Sequence, residues 1–186
     1  MIVTVPNPVL TNPAKPVVQI DRKILGIISK MKKTLTDTRS PKGVGLAAPQ
    51  IGIPLRIFIT RPREDSTIEV FINPELISKS KELKAVERED DGKPSLRKDK
   101  KLEGCLSIPN VWGYLLRSRR VKIKFLDVTG KAIEREYTGF MATIVQHETD
   151  HLDGILFTQR VLEQKQKLYR IEKDEDGKEK LVEIEI

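Results

Sequence analysis

Residues Gln146 to Gly154 read QHETDHLDG, in which His147, Glu148 and His151 spell H-E-x-x-H. On an α-helix, positions i and i+4 lie one turn apart on the same face, so both imidazoles can aim a nitrogen at one ion. Glu148 is rotated about 100° around the axis from His147. That takes it out of the same coordination shell but leaves it within reach of a water on the ion, where a general base belongs. Asp150 and Asp153 are candidates for supporting bonds to the ligands or for capping.

Two imidazoles do not complete a catalytic site. Metallopeptidases with this motif take a third ligand downstream, usually His or Glu. No histidine follows His151, and Glu163 and Glu172 stand in no recognisable context. Upstream, LEGCLSIP (Leu102 to Pro109) carries Cys105, the single cysteine of the chain. A thiolate is a good ligand for Fe²⁺, Zn²⁺ or Ni²⁺, and a metal lowers its pKa. Cysteine plus two histidines leave one tetrahedral position for water, the mark of a catalytic rather than a structural site. The residues alone therefore reach a metal hydrolase with a cysteine ligand and a glutamate base.

These residues need elements to hold them. Ile20, Ile24, Ile27, Ile28, Met31 and Leu35 recur at helical spacing, with Asp21 near the start, and predict a helix over about 20–38. A second helix is expected from about Phe140 to Gly154, carrying the H-E-x-x-H. LRIFIT (55–60), TIEVFIN (67–73) and VKIKFLD (121–127) read as strands. Thr129-Gly130 turns the last of these into AIEREYTG as a hairpin. Strands that pair locally predict an α+β fold, with antiparallel β-sheets packed around the central helix that bears the motif. Val5 to Pro16, with four prolines, should run extended over the surface. The highly charged stretch at about 81–101 reads as a solvated loop inserted in a single domain spanning 1–186. From about residue 163 the chain becomes charged again. There Asp176-Gly177 signals a turn, and alternating Val182, Ile184 and Ile186 predict an edge strand.

With 186 residues, 38% hydrophobic and 33% charged, the chain suits one folded domain with a core. No apolar run reaches the ~18–20 residues of a membrane span, and the N-terminus lacks a signal-peptide pattern. A lone cysteine forms no intrachain disulfide and fits a reducing compartment. The net charge of +7 is compatible with a polyanion such as ribosomal RNA. No paired cysteines, and no basic stripe interleaved with aromatics, mark a dedicated nucleic-acid module.

Three stretches in order, GVGLAAPQIG (Gly43 to Gly52), EGCLSIP (Glu103 to Pro109) and QHETDHLDG, resemble the signature motifs of peptide deformylases. VPNPVL and FINPEL resemble the family's usual surroundings, so the likeness covers most of the chain. It implies an enzyme that removes the formyl group from the N-terminal formylmethionine of nascent polypeptides and releases formate. In its terms Cys105, His147 and His151 bind one divalent metal, natively Fe²⁺, with Zn²⁺, Ni²⁺ or Co²⁺ able to replace it. Glu148 is the acid/base. Gln50 and the backbone N–H of Leu106 face the oxyanion, and Gly45, with Gly43 beside it, lets the substrate backbone approach. Phe140 and Ile144 line the methionine pocket. The resemblance also implies a cytoplasmic or organellar setting beside the ribosome, with no membrane. Two departures stand out: the charged insertion is longer than in compact bacterial members, and Trp112 stands where others often carry arginine. The competing readings are a metallopeptidase with a downstream ligand, which would not need Cys105, and a non-catalytic homologue that binds ribosome or peptide. The latter is disfavoured because Gln50, Cys105, Glu148 and both histidines are all present.

Overall fold

In the computed structural model, described for residues 1–38, 42–87 and 101–184, two antiparallel sheets meet around one helix. The first sheet has the order β1-β2-β3-β8-β9: β1 (Gly45–Ala47), β2 (Ile57–Thr60), β3 (Glu69–Lys79), β8 (Arg120–Leu126) and β9 (Ala132–Thr138). The second has the order β11-β10-β6-β5: β5 (Leu102–Cys105), β6 (Ile108–Tyr114), β10 (Leu168–Lys173) and β11 (Glu179–Ile184). A short pair, β4 (Leu83–Ala85) with β7 (Leu116–Ser118), lies between them in sequence. The helices are α1 (Arg22–Asp37), α2 (Gly139–Leu152), which carries the metal motif, and α3 (Phe157–Glu163).

At β2 the first sheet is covered on both faces, which explains why this strand is apolar without alternation. Ile57 and Ile59 pack with the buried stripe of α1, namely Ile24, Ile28, Met31 and Leu35. Phe58, one residue out of phase, points the other way, where it joins Phe71, Phe125 and the α2 residues Ala142 and Val145. Each such side chain contributes about 1.5–3 kcal/mol by leaving water. Helix α1 starts where the Asp21 carboxylate accepts a hydrogen bond from the Ile24 N–H at 2.9 Å, one of the four donors a helix N-terminus leaves unpaired. The α2 helix is tied to β7 by Gln146, whose amide brackets Ser118: Nε2 donates to its carbonyl (2.8 Å) and Oε1 accepts from its N–H (3.2 Å). A third cluster, Ile108, Leu115, Phe157, Val161 and Leu168, fastens the second sheet to α3.

The expected α+β architecture is the one observed, and both predicted helices and the β8–β9 hairpin are present. Three differences have physical reasons. Strand β3 runs six residues past Asn73, because a bulge between Ile72 and Glu75 absorbs Asn73 (φ 49°) and Pro74 without breaking the pairing to β8. The expected loop at about 81–101 begins instead as β4, paired with β7; its residues 88–100 lie outside the described residues. The proline-rich opening is broken by a turn at Val5–Pro6 and by a 3₁₀ turn at Pro8–Leu10 that runs on into Thr11, and it buries Leu10 and Ala14 rather than lying wholly on the surface. Strands β5 and β6 and helix α3 were not foreseen. The C-terminal edge strand is present as β11, turned at Gly177 (φ 76°), with Asp174 accepting from the Asp176 and Lys178 N–H groups; Ile186 lies outside the described residues.

Candidate active site

Cys105 closes β5, and His147 and His151 stand one turn apart on α2. Their ligand atoms all lie within 4.8 Å of one another. Cys105 Sγ is 3.1 Å from His151 Nε2. Among the described residues this is the one group of three such ligands. Burial alone would raise the Cys105 thiol, but the charge and hydrogen bonds of His151 and His147 outweigh it and bring the thiol down to about 5. The sulfur is therefore a thiolate at neutral pH, the form that ligates metal. The downstream alternatives do not join the group. Glu163 pairs with Arg160 at 3.0 Å and is half exposed, and Glu172 lies on β10.

His147 is held from behind. Its Nδ1 lies 2.7 Å from Glu103 Oε1, so Nε2 is left for the cluster. Glu103 in turn takes a two-pronged grip from Arg117, Nε to Oε2 at 2.8 Å and Nη2 to Oε1 at 2.7 Å. Arg117 also donates to Asp150 at 2.8 Å, and Asp150 receives Arg160 at 3.0 Å. Glu103, Arg117 and Asp150 are all buried. Burial opposes charge on Glu103, but Arg117 and then His147 hold it well below the usual carboxylate range. Burial likewise opposes charge on His147, yet bonds to Cys105 and Glu103 raise it well above its ordinary value. Asp153, the other acid singled out in the motif, closes α2 and pairs with Arg56 at 2.8 Å. Asp150 thus supports the ligands and Asp153 caps.

Glu148 is 3% exposed, and its Oε2 has no hydrogen-bond partner among the described residues. Burial pushes its carboxyl up to about 7, against the opposing pull of the two histidines. Strand β1 crosses it so closely that a Cβ on Gly45 would lie 2.2 Å from Glu148 Oε1. Only a hydrogen fits there, and Gly45→Ala is expected to displace the carboxylate and cut turnover by about 100-fold. A kcat for Gly45→Ala within a few-fold of wild type would show that β1 yields instead. Gly43 is similarly confined: its Cβ would meet Leu35 Cδ1 at 2.7 Å and Leu106 Cδ1 at 3.2 Å.

Gln50 is 1% exposed and points across the gap between the two sheets. Its Oε1 accepts from the Ala47 N–H at 2.8 Å. An N–H can only donate, so this bond fixes which end of the amide faces the metal ligands. Nε2 then lies 3.4 Å from Cys105 Sγ and 3.3 Å from Ser107 Oγ. Leu106 occupies the turn after Cys105, where β5 folds back onto β6. The structure thus assembles Cys105, His147, His151, Glu148, Gln50, Gly45, Gly43 and Leu106 in one place. Phe140 and Ile144 precede His147 by seven and three residues on α2, hence on the face that carries the histidines, and neither belongs to the three apolar clusters. The Trp112 ring packs against Gly104, where an added Cβ would sit 2.5 Å from it. Sequence reasoning missed Glu103 as the anchor of His147. The available signal was a carboxylate inside the short apolar strand LEGC, where a charge must be paired.

The donor set fits a divalent cation of borderline softness: one thiolate and two imidazoles, converging, with a buried carboxylate beside them. A family model described as polypeptide deformylase matches residues 1–167. A peptide deformylase of Dehalococcoides mccartyi is 38% identical over 180 residues, covering 97% of this chain and 96% of that protein. Peptide deformylase 1 of Bacillus subtilis is 38% identical over 160 residues, 86% of this chain and 88% of its own. The crystal structure of peptide deformylase from Thermotoga maritima superposes with a TM-score of 0.73 at 34% identity, covering 87% of this chain and 96% of that one.

Proposed function

The chain belongs to the polypeptide deformylase family and is a metal-dependent hydrolase that takes the formyl group off the N-terminal formylmethionine of new polypeptides, and we propose how its residues divide the work. Cys105, His147 and His151 hold the metal. A divalent ion held there would supply Lewis-acid chemistry, lowering the pKa of a water toward neutrality and polarising a carbonyl oxygen. Fe²⁺ is the native ion in this reading, and the same donors accept Zn²⁺, Ni²⁺ or Co²⁺.

Glu148 takes a proton from the attacking water and later gives it to the departing amine nitrogen, so that formate and a free methionine N-terminus leave. Its burial supports this role, because a carboxyl raised to about 7 can both accept and return a proton at neutral pH. Gln50 Nε2 and the Leu106 N–H donate to the formyl oxygen as it gains charge. One such donor is worth about 3–4 kcal/mol. The open edge of β1 at Gly45 receives the substrate backbone as an added strand, and Phe140 and Ile144 line the pocket for the methionine side chain.

The observation that carries the reading is the 3.1 Å approach of Cys105 Sγ to His151 Nε2, with the buried Glu148 beside it, whose Oε2 has no partner among the described residues. The test is formate release from a formyl-Met tripeptide after anaerobic loading with Fe²⁺ and, separately, Ni²⁺, with metal analysis of anaerobically purified protein. Release should require metal. Cys105→Ser should weaken metal binding by more than the ~10–100-fold that loss of an outer partner costs. A Cys105→Ser protein that keeps its metal and its turnover would remove Cys105 from the ligand set.

We place this activity in the cytoplasm, or an organelle of bacterial origin, in transient contact with the ribosome. Among the described residues no helix is long and apolar enough to cross a membrane. The surplus of +7 and the exposed Arg22, Lys23, Lys30 and Lys33 of α1 support attraction to an RNA surface. Co-sedimentation with ribosomes should be strong at low salt and fall steeply with added salt; its absence at low salt would end this part of the proposal.

A further inference from the structure

The three motifs that supply the site are not joined by strand pairing. Gln50 follows β1 in the first sheet, Cys105 and Leu106 lie in the second, and the histidines are on a helix. One segment touches all three through its backbone. The Val3 N–H donates to the Gln50 carbonyl at 2.8 Å, the Val5 N–H to the Ser107 carbonyl at 3.0 Å, and the Ala14 N–H to the Leu152 carbonyl at the end of α2, also at 2.8 Å. The contact with the third motif is close: a Cβ on Gly154 would lie 2.8 Å from the Thr11 carbonyl carbon. Leu10, 0% exposed, anchors the middle of the segment.

We propose that residues 3–14 form a positioning strap that sets the distance between the two oxyanion donors, Gln50 Nε2 and the Leu106 N–H, and registers both against the metal helix. The inference rests on the reading of Gln50 and Leu106 as those donors. The strap acts through backbone carbonyls one residue from, or on, the residues that donate, so its effect does not depend on side-chain identity. Along this segment the bonds to Gln50 and Ser107 are only two residues apart. Two residues of extended chain span at most ~7 Å, so the segment limits how far the first and second motifs can separate. Donors at an oxyanion act only at about 2.7–3.1 Å from the oxygen, and a displacement of ~1 Å can cost about 100-fold in rate.

The test compares Val3→Pro, which removes the donated N–H, with Val3→Ala, which keeps it, in the metal-loaded enzyme. A second variant deletes Ile2, Val3 and Thr4, so that no residue is left at the position that donates to Gln50, and leaves the Ala14 bond in place. Gln50→Ala runs beside them. Val3→Pro and the deletion should lower kcat by about 10- to 100-fold, with KM, metal affinity and the visible spectrum of the Co²⁺ form unchanged, while Val3→Ala turns over as wild type. The strap is overturned if both disruptive variants match Val3→Ala, or if their loss of activity tracks a loss of metal affinity and melting temperature. Gln50→Ala with full kcat would instead remove the oxyanion reading, and the strap with it. Gln50→Ala impaired beside normal strap variants overturns the strap alone.

Discussion

Glu148→Gln is expected to leave a folded protein that holds its metal and its substrate but releases formate about 10²- to 10⁴-fold more slowly. The amide has the shape of the carboxylate and fills the same buried space under β1. It cannot accept a proton from water at neutral pH. Because Glu148 Oε2 has no partner among the described residues, the substitution breaks no hydrogen bond on that oxygen. It also removes a charge whose burial is unfavourable. Melting temperature should therefore hold or rise while kcat collapses, and metal content should stay at one ion. The measurement is kcat beside metal analysis and thermal melting of the same preparation. Turnover above about a tenth of wild type would mean that another group moves the proton.

Arg117→Met is expected to have the largest effect on stability. The guanidinium is buried between Glu103 and Asp150, with bonds of 2.7 to 2.8 Å to both. Burial opposes its charge, yet Glu103 and then Asp150 raise its pKa further. Removing it leaves the buried Glu103 with only His147 and Asp150 with only Arg160, and breaking a buried pair of this kind costs about 3–5 kcal/mol. At ~2–4 °C per kcal/mol for a chain of this size, the melting temperature should fall by roughly 6–20 °C. Metal affinity should fall as well, by about 10- to 100-fold, because Glu103 orients His147. The double variant with Glu103→Gln should recover part of the stability, since it removes one buried charge that has lost its main partner, but none of the affinity. A melting point for Arg117→Met within about 2 °C of wild type would mean that water reaches these carboxylates.

How legible all this was in the sequence varied with the physics of each part. Helix α2 and its three functional side chains follow from spacing alone, because i and i+4 fix a face wherever the helix sits. Helix α1 was equally plain, from six apolar residues at helical period and a capping aspartate. The hairpin β8–β9 was legible because Val121, Ile123 and Phe125 bury one face while the other stays wet. Cys105 as third ligand came from elimination in a chain with two histidines. The roles of Gln50, Leu106 and Gly45 came from family resemblance; no periodicity marks them.

What stayed hidden depends on tertiary pairing. The sequence pattern ends β3 at Asn73, since proline normally ends a ladder, and only a bulge makes the continuation possible. Helix α3 has seven residues and no side-chain cap, too few for a period to show. The chain of charges from Glu103 to Arg160 joins residues from four elements, β5, β7, α2 and α3. Asp150 stands out for its motif, but nothing local says that Arg117 touches it.

The strap has a consequence for the order in which the molecule is finished. In each bond the earlier residue waits for the later one: Val3 for Gln50, Val5 for Ser107, and Ala14 for Leu152. At ~5–20 residues per second of synthesis, Leu152 is added roughly 7–28 s after Ala14. Contacts of such long sequence separation also close slowly. An enzyme that acts on unfinished chains is thus without a site of its own until its chain has been made to the end of α2.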